Sequence, residues 1–320
     1  MGTLLEVKDL KKYFPTPSGV LHAVDGVSFT VNEGETLGVV GESGCGKSTL
    51  GRVILHLLDI TGGSIYFRGQ DITNVSKKEL RKLREDMQII FQDPFSSLNP
   101  RMTIAEAIAE PLIISGSFSK AEVDNRVKEL MDTVGLSSRL VNTYPHELDG
   151  GRRQRIGIAR ALALNPKFIV CDEPVSALDV SIQAQILNLM QDLQEQLGLT
   201  YIFITHDMSV VKYISHHICV MYLGQLIEKS PSNELFAKPY HPYTKALLSA
   251  IPLPDIHSKT ERILLKGELT SPIDPKPGCR FCQRCLYAKE ICSQKEPELQ
   301  EVEPGHFVAC HFTKEINQMH

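Results

Sequence analysis

The 320-residue sequence contains no run of about 18 apolar residues, so none of it is expected to cross a membrane. Its first residues lack the basic-then-apolar pattern of a secretion signal, and Leu4–Leu10 reads as a strand instead. Any membrane link is then expected to come through a partner. Positive charge is not in excess: Lys and Arg number 34 against 38 Asp and Glu, a formal net charge of −4. A nucleic-acid binder would more often be basic, so no nucleic-acid partner is expected. There is no internal repeat, which points to one unit of its kind rather than a tandem pair. Charged residues make up 22% and hydrophobic ones 42%, as in globular proteins. The length allows a sizeable core and more than one structural unit.

What is present is a phosphate-binding pattern. Residues 41–49 read Gly-Glu-Ser-Gly-Cys-Gly-Lys-Ser-Thr and match G-x-x-x-x-G-K-[ST] from Gly41 to Ser48. Glu35–Val40 before it reads as a buried strand, and Leu50–Leu58 after it has apolar residues at helical spacing. Gly41, Gly44 and Gly46 let the backbone turn tightly and aim its N–H groups inward. The helix N-terminus adds partial positive charge where phosphates sit. Lys47 is placed for the β and γ phosphates, and Ser48 for Mg²⁺. A plain glycine turn before an ordinary helix is the alternative, and the flanking strand and helix argue against it.

A second, acidic element narrows the reading. Phe168–Cys171 is an apolar strand that runs into Asp172-Glu173-Pro174. Asp172 is placed to hold Mg²⁺, directly or through water. Glu173 is expected on the other side of the strand, where it can accept a proton from an attacking water.

In these motifs and their order the chain resembles the nucleotide-binding subunit of an ATP-binding cassette (ABC) transporter, over residues 4 to about 230. Tyr13 fits the aromatic residue that stacks on adenine in that family. Gln92, after the strand Met87–Phe91, fits the glutamine that contacts Mg²⁺ and the attacking water. Leu148-Asp149-Gly150-Gly151-Arg152 stands where the family carries its LSGGQ signature. Ser176-Ala177-Leu178-Asp179 fits the loop that crosses the dimer interface. His206, after the strand Tyr201–Thr205, fits the histidine that contacts the γ-phosphate.

The resemblance implies an α/β fold: an ABC-type P-loop nucleotide-binding domain with an inserted helical subdomain and a small Cys-rich C-terminal tail. It implies ATP bound by Tyr13, Gly41, Glu42, Ser43, Gly44, Cys45, Gly46, Lys47, Ser48, Thr49, Gln92 and Asp172, with Asp149, Gly150, Gly151 and Asp179 meeting nucleotide across a dimer. Mg²⁺ would be held by Ser48, Gln92 and Asp172. Catalysis would fall to Glu173, His206, Gln92 and Lys47.

Past residue 230 the resemblance becomes narrower. Tyr240-His-Pro-Tyr-Thr-Lys-Ala-Leu-Leu-Ser-Ala-Ile-Pro is similar to a C-terminal block of oligopeptide, dipeptide and related nickel importers. Read alone it is a helix begun by Pro242, with an apolar stripe of Tyr243, Leu247, Leu248 and Ile251. That stripe explains packing but not the choice of residues. The resemblance implies an ATPase subunit at the cytoplasmic face of a prokaryotic membrane, powering uptake of di- or oligopeptides, or of nickel or another small solute. Its partners would be a second ABC ATPase (a head-to-tail heterodimer, or a homodimer in isolation), two permease subunits and an extracytoplasmic substrate-binding protein.

The order of elements is consistent with this. Val27, Phe29 and Val31 alternate as a strand does, and Gly62-Gly63 precede another, Ser64–Arg68. From about Pro94 to Asn165 the pattern is helical, with helices expected at Thr103–Glu110, Ala121–Val134 and Arg152–Leu164. Strands and helices then alternate to about Tyr222, implying parallel pairing. We therefore divide the chain into a cassette at 1–250, with its helical insert at about 94–165, and an extension at 251–320. Residues 251–278, rich in proline, read as a linker.

Five of the eight cysteines, Cys279, Cys282, Cys285, Cys292 and Cys310, lie in the extension. A reducing compartment, implied by the ATPase reading, disfavours disulfides. The resemblance implies a [4Fe-4S] cluster on Cys279, Cys285, Cys292 and Cys310, with Cys282 spare. Spacing alone leaves iron–sulfur, zinc or no metal open, because Cys279-x2-Cys282-x2-Cys285 also suits half a zinc site. A cluster can also serve a structural end alone, as the staple of a tail too short to bury a core of its own. Cys45, Cys171 and Cys219 read as small buried fillers.

The signature departs from the family pattern: Asp149 replaces the usual serine and Arg152 the usual glutamine. Asp149 is a good N-cap, worth about 0.5–2 kcal/mol over alanine, and can pair with Arg152 at i, i+3. A carboxylate about 4 Å from a γ-phosphate costs about 1 kcal/mol in water and about 4 at an effective dielectric of 20. Arg152 can offset part of this by bridging to a phosphate oxygen. The site that borrows Asp149 is expected to be the weaker of a pair; the alternative is that Asp149 is a harmless variant, because glycine N–H groups carry most of the contact. Two other readings stand beside the transporter: a soluble ABC ATPase acting on nucleic acid, and a regulatory subunit that binds ATP without turnover.

Overall fold

The computed structural model describes residues 2–251, 262–267 and 271–318. The chain forms two compact units, one of residues 1–32, 36–74 and 205–320, the other of residues 33–35 and 75–204. Part of the expected linker, residues 252–261 and 268–270, lies outside the described residues.

The first unit opens with β1 (Thr3–Thr16), β2 (Gly19–Asn32), β3 (Thr36–Val40), α1 (Lys47–Ile54), β4 (Gly62–Phe67) and β5 (Gln70–Asp71). An antiparallel sheet runs β2-β1-β4-β5. Val27, Phe29 and Val31 are buried while Ser28 and Thr30 between them face solvent, the alternation of a half-covered sheet. β3 is buried at every residue and belongs to a second sheet.

The second unit holds α2 (Lys77–Asp86), β6 (Met87–Ile90), α3 (Pro94–Ser97), α4 (Ile104–Ser115), α5 (Lys120–Thr133), α6 (Gly150–Leu162), β7 (Phe168–Asp172), α7 (Val180–Leu197) and β8 (Thr200–Thr205). β6, β7 and β8 pair in parallel. α4, α5 and α6 are the helices read from the sequence, with shifted ends. The sequence pattern gives no expectation of α2: Leu80 and Leu83 are the only apolar residues of its ten, and neither is buried. Its start was nevertheless written in sequence. Ser76 and Glu79 form a capping box, as do Thr103 with Glu106 at α4 and Ser119 with Glu122 at α5.

The first unit resumes with α8 (Met208–Ile214), β9 (His217–Tyr222), β10 (Gln225–Pro231), α9 (Ser232–Ala237), α10 (Pro242–Ser249), α11 (Glu290–Gln294), β11 (Gln300–Glu303), β12 (His306–Val308) and α12 (Thr313–Gln318). β3 pairs in parallel with β9, β10 is antiparallel to β9, and β12 pairs with β10 and β11. The Cys-rich tail thus adds strands to a sheet rather than folding apart. Phe281 joins the core of the first unit. The Phe281 ring meets Tyr222 and Tyr243 edge-on at 5.3 and 5.5 Å between centroids. Leu247, Leu248 and Ile251 of the expected stripe pack on the same cluster.

A buried carboxylate ties these late elements together. Glu228 on β10 is fully buried and accepts the N–H groups of Tyr240 (2.7 Å) and His241 (3.1 Å). It also bonds His306 Nε2 on β12 at 2.8 Å. His241 Nδ1 accepts the Tyr243 N–H at 3.1 Å and so caps α10. Burial holds the His241 imidazole down from 6.5 to about 4, against the opposing pull of Glu228. The unfolded chain therefore takes up this proton first, and stability falls as pH drops from about 6.5 toward 4. Denaturant melts should show this histidine contributing about 2 kcal/mol of stability loss between pH 7 and pH 5. His241→Asn, which keeps the capping acceptor, should remove that share of the slope. An unchanged acid limb would contradict this reading.

Candidate functional site

In the first unit the loop between β3 and α1 is shaped before any anion arrives. Gly46, at the N-cap of α1, has φ 104°, and a Cβ there would lie 2.0 Å from the Ala23 carbonyl oxygen. A Cβ on Gly41 would lie 2.2 Å from the Met221 carbonyl oxygen. No side chain fits at either position. α1 opens without a capping side chain or an acidic residue in its first turn. Its leading N–H groups keep their attraction for a negative ligand. Lys47 is buried, and its ammonium donates to the carbonyls of Gly41 (2.8 Å) and Glu42 (2.9 Å).

Glu42 is held by every polar group it owns. Its carbonyl takes Lys47. Its N–H donates to the Tyr243 hydroxyl at 2.9 Å. Its carboxylate receives Arg284 through two bonds, Nη1 to Oε2 at 2.6 Å and Nη2 to Oε1 at 3.0 Å. These bonds push the Arg284 guanidinium up from its usual value. Tyr243 belongs to the C-terminal block, so its phenol, and not only its ring, explains why a tyrosine stands there.

Tyr13 is fixed in a similar way. Its ring stacks on His22 at 3.9 Å between centroids, and its hydroxyl donates to Asp25. His22 Nδ1 bonds the other carboxylate oxygen at 2.9 Å, and Arg280 donates to that oxygen and to the Leu223 carbonyl. Burial works to raise Asp25, but the bonds from Tyr13 and His22 and the charge of Arg280 outweigh it and hold the carboxyl low. His206 is exposed just beyond β8, and Asp207 beside it caps α8 by accepting the Ser209 N–H at 2.7 Å.

In the second unit the acidic element and the glutamine meet. Gln92 Nε2 donates to Glu173 Oε2 at 2.9 Å. Asp172 closes β7 and is buried. Glu173 does not point away by strand alternation, as the sequence reading had it. It has already left the strand, at φ 48°, with its N–H on the Ile204 carbonyl at 2.9 Å. A non-glycine residue in that region is strained, and such strain clusters at functional sites.

The signature is a helix start, as expected. Asp149 accepts the Arg152 N–H at 2.8 Å, and its other oxygen lies 3.4 Å from Arg152 Nε, with both side chains more than half exposed. A Cβ on Gly151 would sit 2.7 Å from Ile182 Cγ2 on α7, so α6 and α7 pack on a bare backbone there. Asp179 caps α7 through the Ile182 N–H at 3.0 Å. The sequence offers no sign of the Tyr243 hydroxyl's contact with Glu42, of Asp25 with Arg280, or of Arg284 with Glu42. These contacts act across more than 200 residues, and no local pattern reports that.

Cys45, Cys171 and Cys219 are buried, as read. In the tail, burial pushes the Cys279 thiol up to about 12 and Cys285 to about 11, and raises Cys310 and Cys282. Cys279 feels the charges of Cys285, Cys292 and Cys310, and Cys282 feels that of Cys292, so Cys282 is not set apart from the other four. Among the described residues, however, no three His, Cys, Asp or Glu side chains come together as a metal ion requires. A single zinc ion would draw its thiolates to about 2.3 Å from one centre, and the residues as placed do not fit that.

Comparison with known proteins agrees with these motifs. Residues 24–176 match the family described as ABC transporter, and residues 227–292 the family described as oligopeptide/dipeptide transporter, C-terminal region. The chain is 54% identical to the oligopeptide transport ATP-binding protein AppF of Bacillus subtilis, over 97% of each. It is 53% identical to the oligopeptide transport ATP-binding protein OppF of Salmonella typhimurium, over 95% of this chain and 92% of that one. Among solved structures it is similar to the ATP-binding cassette MJ0796 in a dimeric post-hydrolysis state with ADP and Pi. That match has a TM-score of 0.66 and 31% identity, over 72% of this chain and 99% of that one. It is also similar to cbiO1 of Clostridium perfringens, part of the ABC transporter complex cbiONQ. Here the TM-score is 0.67 and the identity 29%, over 74% of this chain and 92% of that one.

Gly46→Ala should therefore collapse the loop. The left-handed backbone alone costs about 1–2 kcal/mol for an alanine, before the clash with Ala23. Isothermal titration should show ATP affinity reduced at least about tenfold, and wild-type affinity would contradict this account of the loop.

Proposed function

The chain belongs to the ATP-binding proteins of ABC transporters, and we propose that it hydrolyses ATP to power peptide uptake through a membrane importer. The observation that carries the ATPase part is the pre-shaped loop from Gly41 to Ser48, with Lys47 buried at its centre. The peptide part is supported by the C-terminal match over residues 227–292 and by relatives named as oligopeptide transport proteins. We take residues 1–250 as the cassette, with the helical stretch at about 94–165 as its insert, and residues 251–320 as the importer-type extension.

The roles follow from the chemistry. The loop N–H groups and Lys47 neutralise the phosphates, and Tyr13 stacks on the base. Mg²⁺ takes hard oxygen donors, which Ser48, Asp172 and Gln92 carry, and supplies further charge neutralisation when bound. Water attacks the γ-phosphorus in line, the bond to the bridging oxygen of ADP breaks, and Glu173 takes the proton from the water. The bond from Gln92 orients the Glu173 carboxylate for that task. His206 contacts the γ-phosphate. A second ATPase packs head to tail, so that each signature faces the other chain's nucleotide, and Asp149 weakens the site it completes.

Among the described residues no helix is long and apolar enough to cross a membrane. The likeness to oligopeptide transport ATP-binding proteins supports a seat at the membrane through permease subunits. A groove of about 620 Å³ in the second unit supports this, lined by Arg81, Arg84, Gln88, Pro111, Ile114 and Arg160 among others. Ile113 and Ile114 of α4 are 65% and 66% exposed, two adjacent apolar side chains open to a partner. An extracytoplasmic binding protein would deliver the peptide.

For the tail we propose that Cys279, Cys285, Cys292 and Cys310 are the ligand set of a [4Fe-4S] cluster, with Cys282 spare. The Tyr287 N–H donated to Cys285 Sγ at 3.4 Å supports it, while the described residues as placed bring no three ligands together for a single metal ion, zinc included. Protein purified without oxygen should carry stoichiometric iron and sulfide and be coloured. A colourless, iron-free sample would overturn this assignment.

Reconstitution with the second ATPase and the permease tests the main reading. Glu173→Gln should lower kcat by about 10²–10⁴-fold while ATP still binds. Turnover that survives Glu173→Gln but is abolished by the same change in the second ATPase would mean the active site is assigned to the wrong partner.

A further inference from the structure

The phosphate loop carries an acidic residue of its own, and the Cys-rich tail reaches it. Glu42 follows Gly41 directly, so its carboxylate belongs to the segment that must receive a polyanion. That carboxylate is answered by Arg284, whose side chain is 10% exposed and whose guanidinium lies 5.9 Å from the Tyr222 ring centroid. Arg284 stands between Cys282 and Cys285, in a tight turn where its N–H donates to the Phe281 carbonyl at 3.0 Å. The neighbouring Arg280 holds Asp25 from the same turn. Phe281 anchors this turn in the core beside Tyr222 and Tyr243. Residues 242 positions apart in sequence are thus joined by a paired, bidentate ion contact.

We propose that Arg284 is a positioning residue of the nucleotide site: it neutralises Glu42 and turns its carboxylate away from the bound phosphates. This rests on the reading that Gly41–Ser48 holds ATP. Without the guanidinium, a partly buried carboxylate is left unpaired in the loop that meets the triphosphate. The repulsion then grows with the number of phosphates on the ligand. The tail is on this account part of the nucleotide site, and the cysteine-flanked turn serves to seat an arginine.

The full-length chain is titrated with MgATP, MgADP and adenosine as wild type, Arg284→Met, Arg284→Lys, Glu42→Gln, the Glu42→Gln/Arg284→Met double variant, and Lys47→Ala. Arg284→Met should weaken MgATP about tenfold, MgADP less and adenosine least. Adding Glu42→Gln to it should bring MgATP affinity back to within about threefold of wild type, because the offending charge is gone. Arg284→Lys should retain most of the affinity. Rescue by removing a second group is what a purely structural role for Arg284 would not give. The proposal is overturned if Arg284→Met binds MgATP as wild type does, or if the double variant stays as weak as the single one. Should Arg284→Met fail to fold, Arg284→Lys and the double variant carry the same comparison. Failure of the underlying reading looks different: Lys47→Ala would then bind MgATP as well as wild type.

Discussion

A triphosphate can be bound by uncharged backbone only where several N–H groups converge on one point and nothing else occupies it. The turn from Gly41 to Ser48 meets that constraint, and much of the first unit is arranged around it. Gly41 and Gly46 lie so close to the carbonyls of Met221 and Ala23 that any side chain would displace the loop. The ammonium of Lys47 rests on carbonyls of the same turn, so the cation is present without being buried unpaired. Tyr243 and Arg284 fasten Glu42 from outside. Such a site meets its ligand with little left to reorganise, which is where binding and catalytic strength come from.

Much of this was legible in sequence because it is local. The phosphate loop, the apolar strand before Asp172 and the N-cap at Asp149 are each written within about ten consecutive residues, and each is found where expected. Helix α2 escaped because only two of its ten residues, Leu80 and Leu83, are apolar and none is buried. The placement of Glu173 was misjudged because alternation holds only inside a strand, and Glu173 has turned out of β7 into a left-handed conformation. The partners of Glu42 and Asp25 were invisible because they come from the far end of the chain. The C-terminal block showed the opposite limit. Its stripe predicted where Tyr243, Leu247 and Leu248 pack, yet not that the Tyr243 hydroxyl would be a ligand of the loop.

The C-terminal extension also changes in meaning. A short, cysteine-rich tail invites description as an appended module stapled by metal. Here β12 pairs with β10, Phe281 completes an aromatic cluster, and Glu228 binds His306 and two backbone N–H groups. The extension is continuous with the unit that carries the phosphate loop. Divergence at Asp149 and Arg152 lies elsewhere, on exposed side chains of α6, where a change of charge alters what the chain offers a partner without disturbing its own core.

The central claim is that backbone N–H groups of this loop carry the nucleotide's phosphates, and amide hydrogen exchange reads those groups directly. Addition of MgATP should slow exchange at Ser43–Thr49, while adenosine should leave the same amides unchanged. Equal protection by both ligands, or none by either, would contradict the account.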